Sequence, residues 1–129
     1  MKKFLLIAIF TLAISAVQSV SAQTRIQFEK GKSSATVKGT TGSSGVYYVV
    51  RAKSGQKIVV TLTPSSNLGI KVETDGSNGH QVMLEEEKGG TYEVPLEESG
   101  DYTIFVGSIN HRSVPFTLTV KIVKFTGDI

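Results

Sequence analysis

The stretch that decides the fold is Leu96-Glu97-Glu98-Ser99-Gly100-Asp101-Tyr102-Thr103-Ile104-Phe105-Val106. Its first half is polar and contains a glycine, a composition typical of a turn. In its second half apolar and polar side chains alternate, so that Tyr102, Ile104 and Val106 share one face of an extended chain. The stretch therefore predicts a turn followed by a strand with one buried face.

The same period of two continues through the chain beyond residue 22. It is most regular near the C-terminus, where Phe116, Leu118 and Val120 lie on one face and threonines on the other. Turns rich in glycine and serine recur at about ten-residue spacing, which favours a sandwich or barrel. We predict strands at residues 25–29, 35–38, 46–53, 57–64, 68–74, 81–87, 91–96, 101–107 and 116–124. The expected fold is all-β, a single antiparallel, jelly-roll-like β-sandwich of about eight or nine strands at residues 23–129.

The N-terminus has the features of an export signal. Met1-Lys2-Lys3 precede an apolar run at residues 4–17, and the small residues Val20 and Ala22 follow it. A basic start, an apolar stretch and a small-residue exit are typical of a secretory signal peptide. The alternative is a membrane anchor, but the run is shorter than the about 20 residues that an anchor needs. We predict a signal peptide at residues 1–22, cleavage near Ala22, and a periplasmic or secreted product without stable membrane insertion.

Charge and cysteine content exclude several classes of protein. Removal of residues 1–22 takes away Lys2 and Lys3 and no acidic residue, so that the formal net charge falls from +3 to +1. So small a charge argues against a nucleic-acid partner, which requires a concentrated basic face. The chain contains no cysteine, which excludes disulfides, thiolate metal sites and a cysteine nucleophile. We therefore expect the hydrophobic core to stabilise the fold.

No cluster of residues predicts a cofactor, a metal site or catalysis. The segment Asp75-Gly76-Ser77-Asn78-Gly79 is similar to a calcium loop, but His80 stands where such a loop needs glycine. His80 and His111 are too few for a zinc site. The glutamates at residues 85–87 do not converge, because neighbouring side chains in a strand point to opposite faces. The residues themselves therefore give no reason to expect an enzyme.

Two segments are candidates for binding a partner. In Ser99-Gly100-Asp101-Tyr102, a projecting turn would let Ser99 and Tyr102 engage the partner directly. Alternatively, the Tyr102 ring turns inward and its hydroxyl bonds nearby backbone, as corner tyrosines do in sandwiches. The second segment is the loop at residues 107–115, where Asn110 and Arg112 are polar groups on a rigid scaffold. Alternatively, that loop simply connects two strands.

The chain also resembles known proteins. The segments RIQFEKGKSSATVKG (25–39), YVVRAKSGQ (48–56), the stretch 96–106 and the closing FTLTV (116–120) occur in the order seen in small secreted bacterial β-sandwiches. These sandwiches are related to the pre-peptidase C-terminal domain, and the chain is most similar to the periplasmic inhibitors of g-type lysozyme. In those inhibitors a loop bearing Ser-Gly-x-Tyr enters the active-site cleft of the target.

The resemblance implies a partner and a set of contact residues. The partner would be a lysozyme or another cell-wall hydrolase, and the matching residues are Ser99, Gly100 and Tyr102, with Asp101 in the variable position. The alternative that the resemblance leaves open is a stand-alone accessory domain, similar to the pre-peptidase C-terminal domain, that binds glycan or another exported protein.

Overall fold

Alternation of apolar and polar side chains builds nine strands in the computed structural model, which describes residues 23–125. They are β1 (Gln23–Arg25), β2 (Ser34–Thr40), β3 (Val46–Ala52), β4 (Gln56–Thr63), β5 (Leu68–Gly76), β6 (Gly79–Glu86), β7 (Gly90–Pro95), β8 (Gly100–Ser108) and β9 (Pro115–Lys124). The predicted signal peptide at residues 1–22 lies outside the described residues. Within residues 23–125, no helix has the length and apolar character that crossing a membrane requires.

The strands form two sheets that pack face to face. The five-stranded sheet has the order β1-β3-β8-β5-β6, and the four-stranded sheet has the order β2-β9-β4-β7. All pairs are antiparallel except β1 with β3, which run parallel. The predicted all-β sandwich is confirmed, with one parallel pair at the edge of the larger sheet.

The core lies between the two inner faces. β8 contributes Tyr102, Ile104 and Val106 from the larger sheet, and β9 contributes Leu118 and Val120 from the smaller one, all of them at most 2% exposed. Each fully buried side chain of this kind stabilises the fold by about 1.5–3 kcal/mol. The inner faces therefore supply the stabilisation that a chain without disulfides needs, and they fix which residues of β8 point outward.

The first strand differs most from its predicted position. We predicted a strand at residues 25–29, but β1 ends at Arg25 and pairs with β3 in parallel register. The backbone N–H of Ile26 continues this pairing by donating to the carbonyl of Val49 at 2.8 Å, and the Ile26 side chain is buried. All three side chains of β1 are exposed. So short a strand has no alternation to detect, and its partner strand defines it.

Candidate functional site

The turn between β7 and β8 is held by backbone and side-chain hydrogen bonds from a neighbouring turn. Leu96 lies just after β7, where its N–H donates to the Gln56 carbonyl at 2.9 Å and its carbonyl accepts from Gly55 at 3.1 Å. Three residues later, the Ser99 hydroxyl accepts a hydrogen bond from the Ser54 N–H at 3.0 Å. Ser99 is exposed. The β3–β4 turn therefore supports the β7–β8 turn at both of its ends.

Tyr102 closes the same turn from the inside. Its ring is 2% exposed in the core, and its hydroxyl donates to the backbone carbonyl of Glu98. Burial raises the pKa of the Tyr102 phenol from its ordinary value, at which the hydroxyl is already a protonated donor at neutral pH. The inward orientation predicted for a corner tyrosine is confirmed. In this conformation Tyr102 shapes the turn, whereas Ser99 presents a group to the outside.

The carboxylate of Glu98 connects the turn to a third segment. It accepts hydrogen bonds from the backbone N–H of Ser77 at 3.0 Å and from the Ser77 hydroxyl at 2.9 Å. These two bonds favour the charged form and hold the pKa of Glu98 below its usual value. Gly76 leaves room for the contact, because a Cβ there would lie 3.0 Å from a Glu98 oxygen. The β5–β6 turn and the β7–β8 turn are thereby joined.

Charged side chains surround this end of the larger sheet on its outer face. Arg25 donates two hydrogen bonds to Asp101, at 3.1 and 2.8 Å, and the Arg51 guanidinium lies 3.6 Å from the same carboxylate. The hydrogen bond from Arg25 is the largest of the effects that lower the pKa of Asp101. Partial desolvation of the carboxylate acts in the opposite direction and raises that pKa. These groups are largely exposed, and exposed ion pairs contribute little to stability. Their main effect is to connect β1 to β8 across the intervening strand β3.

His80 lies on the adjoining β5–β6 hairpin. One ring nitrogen lies 2.8 Å from Asp75 and the other 2.9 Å from Glu73. Hydrogen bonds to Asp75 and then to Glu73 raise the pKa of His80. In the part of the chain that the structure describes, no three His, Asp or Glu side chains are arranged to hold a metal ion. The arrangement therefore acts as a side-chain clamp across the hairpin.

Asn110 and Arg112 lie at the opposite end of β8. Asn110 accepts a hydrogen bond from the Ser108 hydroxyl at 2.8 Å, and Arg112 is held through its backbone, whose N–H donates to the same hydroxyl at 3.1 Å. Both side chains are exposed. The strand between Gly100 and Ser108 is about 27 Å long at its normal rise per residue. The structure therefore brings Ser99, Gly100 and Tyr102 together and leaves Asn110 and Arg112 at the other end.

Solved structures with this fold are available for comparison. The chain is 30% identical to Aeromonas hydrophila PliG, a periplasmic lysozyme inhibitor of g-type lysozyme, over 78% of this chain and 96% of that one, with a TM-score of 0.68. The chain belongs to the PliG family. The resemblance to the lysozyme inhibitors that the sequence predicted is therefore confirmed.

Two further PliG structures share the fold at lower identity. Salmonella Typhimurium PliG is 20% identical, covers 80% of this chain and 99% of its own, and has a TM-score of 0.60. A mutant of the Escherichia coli PliG is 23% identical, covers 78% and 96%, and has a TM-score of 0.59. No family model and no curated protein sequence matches the chain.

Sequence reasoning missed the residues that support the β7–β8 turn. Ser54 contacts Ser99 of the turn from 45 residues away in the chain, and Ser77 contacts Glu98 of the turn from 21 residues away. Serine and glutamate in turns are common, and nothing in their spacing marks them as partners. Only the pairing of β5 and β3 with β8 places their turns beside the one that carries Ser99.

Proposed function

We propose that this protein is a periplasmic, non-catalytic inhibitor of g-type lysozyme and that the β7–β8 turn enters the cleft of the enzyme. The observation that carries the proposal is membership of the PliG family, at 30% identity to a periplasmic inhibitor of that enzyme class. The match spans 96% of the relative, so that the inhibitor's fold is represented almost completely in this chain.

Rigidity of the turn supports its role as the inserted element. Binding is more favourable when the contacting segment is already ordered, because less conformational entropy is lost on association. The turn is fixed by Ser54 through Ser99, by Ser77 through Glu98, and by the Tyr102 hydroxyl. These contacts come from three different segments of the chain. Tyr102 accordingly acts as a positioning residue for the turn.

The exposed atoms of the turn are suited to a narrow cleft. The Ser99 oxygen accepts a hydrogen bond from Ser54, which leaves the hydroxyl proton able to donate to a carboxylate or carbonyl of the enzyme. At Gly100, with φ of 152°, a Cβ would meet no atom within 4 Å. The missing side chain allows a partner's backbone to approach closely. Ser99 and Gly100 therefore form the contact surface that we propose.

An inhibition assay tests the proposal. The protein starting at Gln23, which contains both sheets, is titrated against g-type, c-type and i-type lysozymes while lysis of cell-wall substrate is followed. We expect inhibition of the g-type enzyme at micromolar protein or below. Unchanged activity of all three enzymes would refute the proposal.

A matched pair of variants tests the assignment of the turn. Ser99→Ala removes one hydrogen bond to the enzyme and is expected to weaken inhibition about fivefold to tenfold. Ser113→Ala makes the same chemical change in the exposed loop at the other end of β8 and is expected to leave inhibition unchanged. Equal effects of the two substitutions would contradict insertion of this turn.

The second predicted segment is tested in the same assay. Asn110 and Arg112 were predicted to contact a partner, and they lie about 27 Å from the turn along β8. If the turn alone enters the cleft, Arg112→Ala leaves the inhibition constant unchanged. A loss as large as that of Ser99→Ala would show that the enzyme covers both ends of the sandwich.

Localisation is the last part of the proposal. Export rests on the predicted signal peptide at residues 1–22 and on the periplasmic description of the PliG relatives. Expression of the whole chain, osmotic-shock fractionation and mass measurement are expected to give a periplasmic product that begins at Gln23. A product that retains residues 1–22 would contradict cleavage near Ala22.

A further inference from the structure

A second concave site lies on the outer face of the five-stranded sheet, at the end opposite the Ser99 turn. It has a volume of about 340 Å³. Its walls come from β5, β6 and β8, from the loop before β3 and from the loop after β8. Pockets of about 300 Å³ and larger, with an apolar base and a few polar groups, are typical of small-ligand sites. The proposal for the Ser99 turn does not use this site.

Glycines create the depression. Gly69 of β5 pairs directly with Gly107 of β8, and Gly45 immediately precedes β3. A Cβ at Gly107 would lie 2.8 Å from the ring of Phe105, and a Cβ at Gly45 would also collide with that ring. The ring therefore lies over the backbone of both glycines, in space that other residues would fill. The Phe105 ring therefore forms the floor of the depression, at positions where Gly45 and Gly107 leave the sheet without side chains.

The ring that forms the floor belongs to a row of side chains that crosses four strands. Tyr47, Phe105, Lys71 and Glu85 are direct neighbours in register from β3 to β6. The Tyr47 and Phe105 rings lie 4.8 Å apart between centroids, and the Lys71 ammonium lies 5.7 Å from the Phe105 centroid. On the other side of the floor, the Ile109 side chain is 50% exposed and also lines the depression. An exposed isoleucine beside an aromatic ring gives the site apolar surface to cover.

The polar rim contains both donors and acceptors. Glu85 and Glu87 supply carboxylate oxygens, Lys71 supplies an ammonium group, and Ser43 and Ser44 supply hydroxyls. An anionic ligand would be repelled by the carboxylates, and a cationic ligand would meet Lys71, whose ammonium already lies over the ring. A neutral ligand with many hydroxyl groups avoids both conflicts, because each hydroxyl both donates and accepts. The apolar C–H face of a sugar ring also complements an aromatic floor.

We propose that this depression, lined by Phe105, Gly45, Gly69, Gly107, Lys71 and Glu85, binds a neutral saccharide of one or two rings. The sugar face packs on the Phe105 ring, and its hydroxyls bond to Glu85 and to the serines of the rim. The floor of the site at Phe105 lies about 20 Å along β8 from Ser99, so that the two sites are occupied independently.

Amide chemical shifts measured during sugar titration test this site. The ¹⁵N-labelled protein starting at Gln23 is titrated with the N-acetylglucosamine dimer, cellobiose and maltose, each to about 10 mM. We expect at least one of the sugars to shift the amides of Gly45, Gly69 and Gly107 while those of Ser99 and Gly100 stay in place. A sedimentation experiment with insoluble cell-wall glycan then distinguishes a polymeric ligand from a free disaccharide.

Two variants tie the binding to the residues named. Phe105→Leu keeps apolar volume but removes the ring, and it is expected to weaken sugar binding about tenfold. Glu85→Gln, at an exposed position that does not endanger folding, is expected to weaken it about threefold to tenfold. Ser99→Ala is the matched control and leaves sugar binding unchanged.

Three results would overturn the proposal. The first is that none of the three sugars shifts the glycine amides. The second is that Phe105→Leu and Glu85→Gln both bind sugar as tightly as the parent protein. The third is that N-acetyl-lysine methylamide shifts these amides and the sugars do not, which would assign the site to a cation.

Discussion

The substitution Tyr102→Phe removes one hydroxyl group, and it therefore tests the support of the β7–β8 turn without changing the packing of the core. The ring is 2% exposed, and phenylalanine keeps it in place, so that no cavity is formed. What is lost is the hydrogen bond to the Glu98 carbonyl. Because that carbonyl belongs to a partly exposed turn, water is able to replace the lost donor. We therefore expect a loss of about 1 kcal/mol in the free energy of unfolding.

Thermal and urea unfolding measure this loss. For a domain of this size, 1 kcal/mol corresponds to a fall of about 4–8 °C in Tm. The urea midpoint falls and the m-value stays constant, since the surface exposed on unfolding does not change. Inhibition of g-type lysozyme weakens in parallel, because the loosened turn must be ordered again on binding.

Tyr92 provides a matched control within the same chain. Its hydroxyl also donates to a carbonyl four residues earlier, that of Lys88, at 2.9 Å. Tyr92→Phe is expected to lower Tm slightly and to leave inhibition unchanged, since this bond does not touch the β7–β8 turn. The reasoning fails if Tyr102→Phe keeps its Tm within about 1 °C, or if the two variants lose inhibition equally.

Two further predictions concern stability. Gly45 and Gly31 have similar φ values of 87° and 81°, but only a Cβ at Gly45 would meet the Phe105 ring. In urea unfolding we expect Gly31→Ala to lower the free energy of unfolding by about 1 kcal/mol and Gly45→Ala to lower it by about 2–3 kcal/mol. Equal losses in the two variants would contradict the packing of the ring on Gly45. The lowered pKa of Glu98 means that its contribution is present above its unfolded value of 4.5 and is lost as pH falls through the folded value. The urea midpoints of the parent and of Glu98→Gln are therefore expected to differ at neutral pH and to converge in acid. A difference between the two midpoints that stays constant with pH would contradict this. Glu97→Gln controls for the loss of one charge.

Much of the fold could be predicted from residues close together in the chain. Alternation in β8 and β9 identifies both strands, because each buries one face against the opposite sheet. The inward Tyr102 follows from its place after a glycine turn at a strand's start, a recurrent feature of sandwiches. β1 was misplaced, since its three exposed residues have no pattern and its pairing with β3 defines it.

The candidate sites depend far more on contacts between distant segments. Ser99 and Gly100 were predicted from a local motif, but their supports Ser54 and Glu98–Ser77 come from turns that only strand pairing brings together. Likewise Gly45 and Gly107 look like ordinary turn or strand glycines until the pairing of β3 with β8 places both beneath one ring.

The sequence by itself determined the strands other than β1, the hydrophobic core and the turn that carries Ser-Gly-x-Tyr, because alternation and turn chemistry act between near neighbours in the chain. The tertiary structure alone decided that the turns bearing Ser54 and Ser77 meet the turn that carries Ser99, and that the Phe105 ring lies over Gly45 and Gly107. Strand order and register decide which residues become neighbours across a sheet. These depend on how two whole faces pack against each other, which no local pattern contains.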